Sequence, residues 1–423
     1  MGNVNDMLQP IPLPDMAWVS QSFPRPTLAD PAAETRAQLA REAIRSRIRP
    51  GMRVAVTVGS RGVANIASVT REIVAALRDA GAEPFIIPAM GSHGGASAEG
   101  QASMVREYGI TEEYVQCPIR ATMEVAQIGT LPDGKPIFID RFAAQADGIV
   151  PVNRIKAHTA FHGRFESGVM KMMAIGLGKQ KGAETVHRDG ILRLGPNVER
   201  MALGILAKAS IIFGVGLVEN AYDETMIVRA MTPEEMPATE PELLATAKQN
   251  MARLLLPQTD VLLVDYIGKN ISGEGMDPNL TGRYIVPGLT GGIQNQVLGV
   301  LDITPETLGN FVGLGMADVC ARRVVEKISL DNTYPNSLTS TVTCLCKIPM
   351  VFDNHRLTAQ AAVKMTPARA PEDVQVIRIR DTLSMTRMQV SKNLLPQVRA
   401  TEGMRVESEP MPMVFNDNGD LFA

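Results

Sequence analysis

Residues 53–108 alternate strand, turn, helix, strand, loop, helix, and this alternation restricts the fold more than any other feature. Arg53-Val54-Ala55-Val56-Thr57-Val58-Gly59 is an apolar, β-branched run that ends on a glycine turn. Residues 66–80 carry apolar side chains at helical spacing, and Pro84-Phe85-Ile86-Ile87-Pro88 is a second buried strand. The loop Gly91-Ser92-His93-Gly94-Gly95-Ala96 and a helix over 98–108 follow. Strands joined through helices build an open parallel sheet. Ligands of such sheets bind beyond the carboxyl ends of the strands, so both glycine-rich turns open on the functional edge.

The alternation continues through strands at 146–152 and 210–218, the second preceded by a helix over 198–209. Residues 233–256 read as a helical connector, and Asp260-Val261-Leu262-Leu263-Val264-Asp265 begins a second unit. The expectation is two α/β domains, 1–256 and 257–423, with open, largely parallel sheets and an active-site cleft between them. Within them, 33–48 reads as one helix. Residues 338–351 read as a strand with Cys344 and Cys346 on one face, as a buried thiol pair or half a metal site. The four cysteines are too scattered for a disulfide framework. A formal charge of −3 gives no field for nucleic acid or anionic membranes. No secretory signal is visible, and no run approaches the roughly 18 apolar residues of a membrane helix. The expected setting is soluble and cytoplasmic, with no nucleic-acid or membrane partner.

Four of the five histidines fall in the first half: His93, His158, His162 and His187. Imidazole exchanges protons near neutrality and ligates borderline metals. Glycines follow His93 and His162, letting a bound group approach the backbone closely. No His-Glu-x-x-His or Cys-x-x-Cys pattern marks a zinc site. Gly176-Leu177-Gly178-Lys179 and Gly91 to Gly95 are either anion nests or plain turns, and neither is a nucleotide fingerprint. Lys171, in Phe165-Glu166-Ser167-Gly168-Val169-Met170-Lys171-Met172-Met173, either snorkels outward or sits in a pocket that alters its reactivity.

In these residues the chain resembles the nickel-dependent lactate racemase family of 2-hydroxyacid racemases and epimerases. The resemblance rests on an ordered series: Gly59-Ser60-Arg61 after the first strand, Gly91-Ser92-His93 after the next, then His158, Ser167-Gly168-Val169-Met170-Lys171, and His187 sixteen residues past the lysine. The chain departs from the family at Val58, where an aspartate is usual, and at Val169, where a glycine is usual. The resemblance implies a nickel-pincer nucleotide, a pyridinium mononucleotide with bound nickel, covalently attached to Lys171. It implies His187 as the nickel ligand, and Arg61, Ser92 and Gly94 around the cofactor. It also implies two histidines exchanging acid and base roles: His93 and His158, with His162 as the alternative to His158.

The substrate implied is a small hydroxy acid. Arg61 is a candidate for its carboxylate, as are Lys269 and Arg283 of the loop 268–283. His355 reads as the start of a helix and as structural. Two other readings stand beside this one. One is a binding protein for an organic acid or phosphate, and the other a hydrolase or lyase with a simple divalent metal. Self-association into a homo-oligomer is left open.

Overall fold

The computed structural model describes residues 4–60, 62–366 and 370–422. The chain forms two compact units, Pro24–Met251, and Met1–Phe23 together with Ala252–Ala423.

In the first unit, Arg53–Val58 lies between Glu83–Pro88 and Gly148–Val150, parallel to both. All but the first residue of Arg53–Val58 are buried. Alternate side chains point to opposite faces. Val54, Val56 and Val58 therefore join one core with Ile73 and Leu77 of the helix Ile66–Asp79. Ala55 joins another with Met173, Leu177 and Ile205. A sheet covered on both faces explains why its strands are continuous apolar runs.

The strand read at 146–152 is divided at Pro151, which has no N–H for a ladder. Its carbonyl still accepts from Val215 at 2.9 Å. Beyond it Val152–Arg154 pairs in parallel with Gly214–Glu219, which pairs antiparallel with Thr225–Met231. The Val152 N–H donates to Thr57 Oγ1 at 3.1 Å, tying the two ladders together. The carboxyl ends of Arg53–Val58, Glu83–Pro88 and Val152–Arg154 lead into Gly59, Gly91 and the segment of His158.

In the second unit five parallel strands run in the order Met350–Phe352, Val319–Ala321, Val297–Ile303, Val261–Ile267, Val376–Ile379. Arg387–Ser391, Met16–Gln21 and Met404–Val406 extend the sheet antiparallel. The expected boundary after residue 256 is revised to residue 251, and residues 1–23 move to the C-terminal unit. Met16–Gln21 finds both its ladder partners there, a pairing more than 360 residues long that no local pattern encodes.

Two local expectations also change. Residues 33–48 form two helices, Pro31–Leu39, capped by Asp30, and Glu42–Arg45. Residues 338–351 are not a strand. Ser329 caps the helix Leu330–Ser340, and Cys344–Cys346 is a 3-10 turn in which Cys346 Sγ lies 2.7 Å from Ser337 Oγ. The fold then returns to a strand only at Met350–Phe352. No helix among the described residues is long and apolar enough to cross a membrane.

Trp18 is the only tryptophan. It pairs with Gln389, and the Arg387 guanidinium lies 4.2 Å from its ring. Its fluorescence should therefore report unfolding of the C-terminal unit. Leu298→Ala, in the fully buried strand Val297–Ile303, should lower the stability read at Trp18 by roughly 2–5 kcal/mol in a urea titration. A Trp18 transition indifferent to that change would place the N-terminal strand outside this sheet.

Candidate active site

The segment after Val152–Arg154 is closed on itself. Lys156 and Ser167 exchange backbone hydrogen bonds at 2.9 and 3.2 Å, so residues 157–166 form a tied loop. At its base Glu166 is almost fully buried. One carboxylate oxygen accepts the His158 N–H at 2.8 Å. The other accepts the Gly163 N–H at 3.2 Å and Lys248 Nζ at 2.6 Å. The Ala160 N–H donates to His158 Nδ1 at 2.9 Å, and the His158 ring lies against Phe161 with centroids 4.3 Å apart.

Lys171 ends the turn Val169–Lys171, which continues into a π-turn, Met172–Gly176. Such turns are rare and concentrate at functional positions. The buried Glu240 caps this segment, accepting the Met170 N–H at 3.0 Å. A Cβ on Gly168 would overlap the Glu240 carboxylate, so a larger residue there would have to displace that side chain. Burial pushes the Glu240 carboxyl up to about 7, against the lowering effect of the Met170 and Val169 N–H groups.

His187 closes the helix Lys179–His187. Its Nδ1 lies 2.7 Å from the Ala183 carbonyl, an acceptor only, so Nδ1 carries the proton and Nε2 keeps its lone pair. His158 is held well below the usual imidazole range, first by burial and then by the charges of Lys171, Lys156, His187 and His162. His187 is also lowered, first by burial, with Lys171 adding to it and the Ala183 carbonyl opposing it. Lys171 and three of the imidazoles therefore share one electrostatic neighbourhood, with His158 and His187 kept neutral.

His93 is exposed on the loop after Glu83–Pro88, with Nδ1 against Ser60 Oγ. The loop rests on the turn beyond Lys171, since the Gly91 N–H donates to the Gly176 carbonyl at 3.2 Å. Gln101 Nε2 ties the loop further, donating to the Gly91 and His93 carbonyls at 2.9 and 3.2 Å. Ser92 is partly buried on the same loop. Gly94 has φ +64, and a Cβ there would meet Gln101 N at 2.8 Å, so packing alone accounts for that glycine.

Gly176 to Lys179 is not an anion nest. A Cβ on Gly176 would overlap the Ala89 carbonyl, and one on Gly178 would lie 2.8 Å from Gly182 Cα. Lys179 turns inward, fully buried, 3.0 Å from Asp140 and 3.2 Å from Gln101 Oε1, and it also donates to the Pro88 carbonyl. In the other unit, Arg283 is bonded to Asp318 at 2.6 Å, Asn295 at 2.9 Å and the Gln296 carbonyl at 2.8 Å, a structural engagement. Lys269 Nζ donates to the Gly273 carbonyl at 2.6 Å. His355 begins the helix His355–Lys364, fully buried, as read from the sequence. Arg61 lies outside the described residues.

Sequence reasoning missed Glu166, Glu240, Lys248, Gln101 and the pair Lys179–Asp140. Glu166 had a local signal, a lone carboxylate in an apolar run. Glu240 and Lys248 lie on a helix, Met236–Asn250, read only as a connector.

Residues 20–195 match the family model of the lactate racemase N-terminal domain. Among solved structures, the lactate racemase apoprotein from Thermoanaerobacterium thermosaccharolyticum is similar with a TM-score of 0.52. It is 15% identical, and the match covers 86% of this chain and 94% of that one. No curated protein sequence matches the chain. The fold and site define an α/β protein with a lysine and histidines gathered at the carboxyl ends of its strands. Over residues 20–195, the chain is similar to the lactate racemase N-terminal domain.

Two consequences are measurable. An unfolded glutamate titrates near 4.5 and buried Glu240 near 7. Between those values the folded state holds a proton that the unfolded state has lost, so stability falls as pH rises through this window and levels off above it. Glu240→Gln should remove that component, at most a few kcal/mol at about 1.4 kcal/mol per unit. The wild-type minus variant difference in unfolding free energy, measured from pH 4 to 8, should slope accordingly, and a flat difference would contradict it. Lys179→Met leaves the Asp140 carboxylate buried and unpaired. It should cost on the order of 3–5 kcal/mol in chemical denaturation and speed hydrogen exchange over residues 91–96.

Proposed function

We propose that the protein is a racemase or epimerase of a 2-hydroxy acid that works with a lysine-tethered nickel-pincer nucleotide. The observation that carries this reading is the gathering of Lys171 with His158, His162 and His187 in the unit that matches the lactate racemase N-terminal domain. A carbanion beside a carboxylate is a high-energy route to inversion, and hydride chemistry avoids it.

The residues fit the group. His187 offers a neutral Nε2 lone pair, oriented by the Ala183 carbonyl, as one metal ligand. Among the described residues no three His, Cys, Asp or Glu side chains are placed to hold a metal ion together, so a metal here takes its remaining donors from a non-protein group. That also leaves the simple divalent-metal hydrolase without a donor set of its own. Lys171 supplies the amine for the covalent link. When bound, the cofactor supplies a reversible hydride acceptor. The chain's part is to place the hydroxy acid and move one proton at its hydroxyl oxygen. His93 is one proton-transfer group, and a histidine of the tied loop 157–166 is the other. The substrate carboxylate calls for a cationic group, for which Arg61 is the candidate.

Protein co-expressed with cofactor-making machinery should carry nickel and a mass increment on Lys171. It should also invert hydroxy acids with retention of an α-deuterium label. Lys171→Ala should lack the increment, and His187→Ala should keep it while losing nickel. Protein from a competent host with neither nickel nor adduct would sink the reading.

A further inference from the structure

The two histidines of the tied loop differ in what their rings can do, and the difference is set by the backbone. The Ala160 N–H points at His158 Nδ1 from 2.9 Å. A backbone amide is only a donor, so Nδ1 must accept. A neutral imidazole carries one proton, and with Nδ1 accepting, that proton is on Nε2. A proton on Nδ1 would set two donors against each other at hydrogen-bond distance and leave the Ala160 N–H without its partner.

The loop cannot readily relax to escape this. Glu166 grips it at the His158 N–H and again at the Gly163 N–H, on either side of Ala160. Lys156 and Ser167 close it below. Ala160 and Phe161 are buried, and the Phe161 ring lies against the imidazole. His187 shows the opposite arrangement, with Nδ1 facing a carbonyl and Nε2 bare.

We propose that His158 is a fixed-tautomer hydrogen-bond donor, presenting Nε2–H to a substrate oxygen, and that proton acceptance on this loop falls to His162. The assignment to a reaction rests on the racemase reading above, whereas the tautomer does not. In oxidation of the hydroxy acid, the hydroxyl proton would pass to a ring nitrogen with an available lone pair while hydride leaves the α-carbon for the electron-poor pyridinium that the racemase reading supplies. The Nε2 of neutral His158 has no lone pair to offer. His158 therefore holds its N–H toward a carboxylate or keto oxygen without giving it up. His162 lies four residues away on the same loop, within the electrostatic reach of His158.

The tautomer is read without cofactor. In the full-length protein labelled with 15N-histidine, the His158 nitrogens, assigned by their loss in His158→Gln, should show protonated Nε2 and unprotonated Nδ1. An Nδ1–H form, or an average of the two, overturns the proposal. Activity of the loaded enzyme then separates the roles. Glutamine keeps an N–H donor near the Nε2 position but cannot take a proton. His158→Gln should stay within about tenfold of the wild-type kcat, and His158→Ala should fall further. His162→Gln should lose about 10²–10⁴-fold, the usual share of a general base. Equal collapse of His158→Gln and His162→Gln would make His158 a proton carrier and refute the assignment. A loaded enzyme with no racemase activity but the expected nitrogen pattern would fault the reaction and leave the donor state standing.

Discussion

The carboxylate of Glu166 carries the geometry of the site. Nearly sealed from water, it has three donors: the N–H groups of His158 and Gly163 and the Lys248 ammonium. A carboxylate buried with fewer partners would be strongly destabilising, so the loop, the carboxylate and the helix bearing Lys248 hold one another in register. The same helix, Met236–Asn250, sends Glu240 to the turn that carries Lys171. One helix thus fixes the two segments that bring the amine and the imidazoles together, and neither of its contacts is itself chemistry on a substrate.

How much of this the sequence disclosed follows from the range of the forces involved. Arg53–Val58 and Glu83–Pro88 were legible because burial on both faces writes an unbroken apolar run. The turns at the strand ends were legible because glycines follow both strands there. His158, Lys171 and His187 stood out by residue type and by family spacing. Glu240 was not legible, because its partner lies 70 residues away and its own surroundings are those of an ordinary helix. The strand Met16–Gln21 was missed for the same reason at greater distance. Cys344 to Cys346 misled in the other direction. The β-branched composition suggested a strand, but Ser329 starts a helix upstream, and Gly315 packs so closely on the Cys344 carbonyl that a Cβ there would overlap it.

Lys179 shows how a single residue can carry two opposite sequence meanings. In sequence it closes Gly176-Leu177-Gly178-Lys179, which reads as either an anion nest or a plain turn. In the fold the glycines exist so that the turn can press against Ala89 and Gly182, and the lysine, at φ 54, turns into the interior toward Asp140. Burial lowers its pKa and raises that of Asp140, and in each case the ion pair pulls the other way. Its bonds to Pro88 and Gln101 brace the strand end from which the His93 loop departs. The charge serves the loop's position and is withheld from any ligand.

The titratable groups that act on the His158 ring are all basic. The charges that act on His158 come from Lys171, Lys156 and two other imidazoles, and all of them disfavour its protonation. The carboxylate that ties the loop, Glu166, is neutralised by Lys248 and by backbone donors. A site so composed keeps His158 neutral when empty and gains from any anion that enters, because the anion offsets the positive field of Lys171 and Lys156. A carboxylate substrate therefore does more than occupy the site. By entering, it lessens the penalty for placing a proton on an imidazole, at the stage of the reaction when a histidine must receive one.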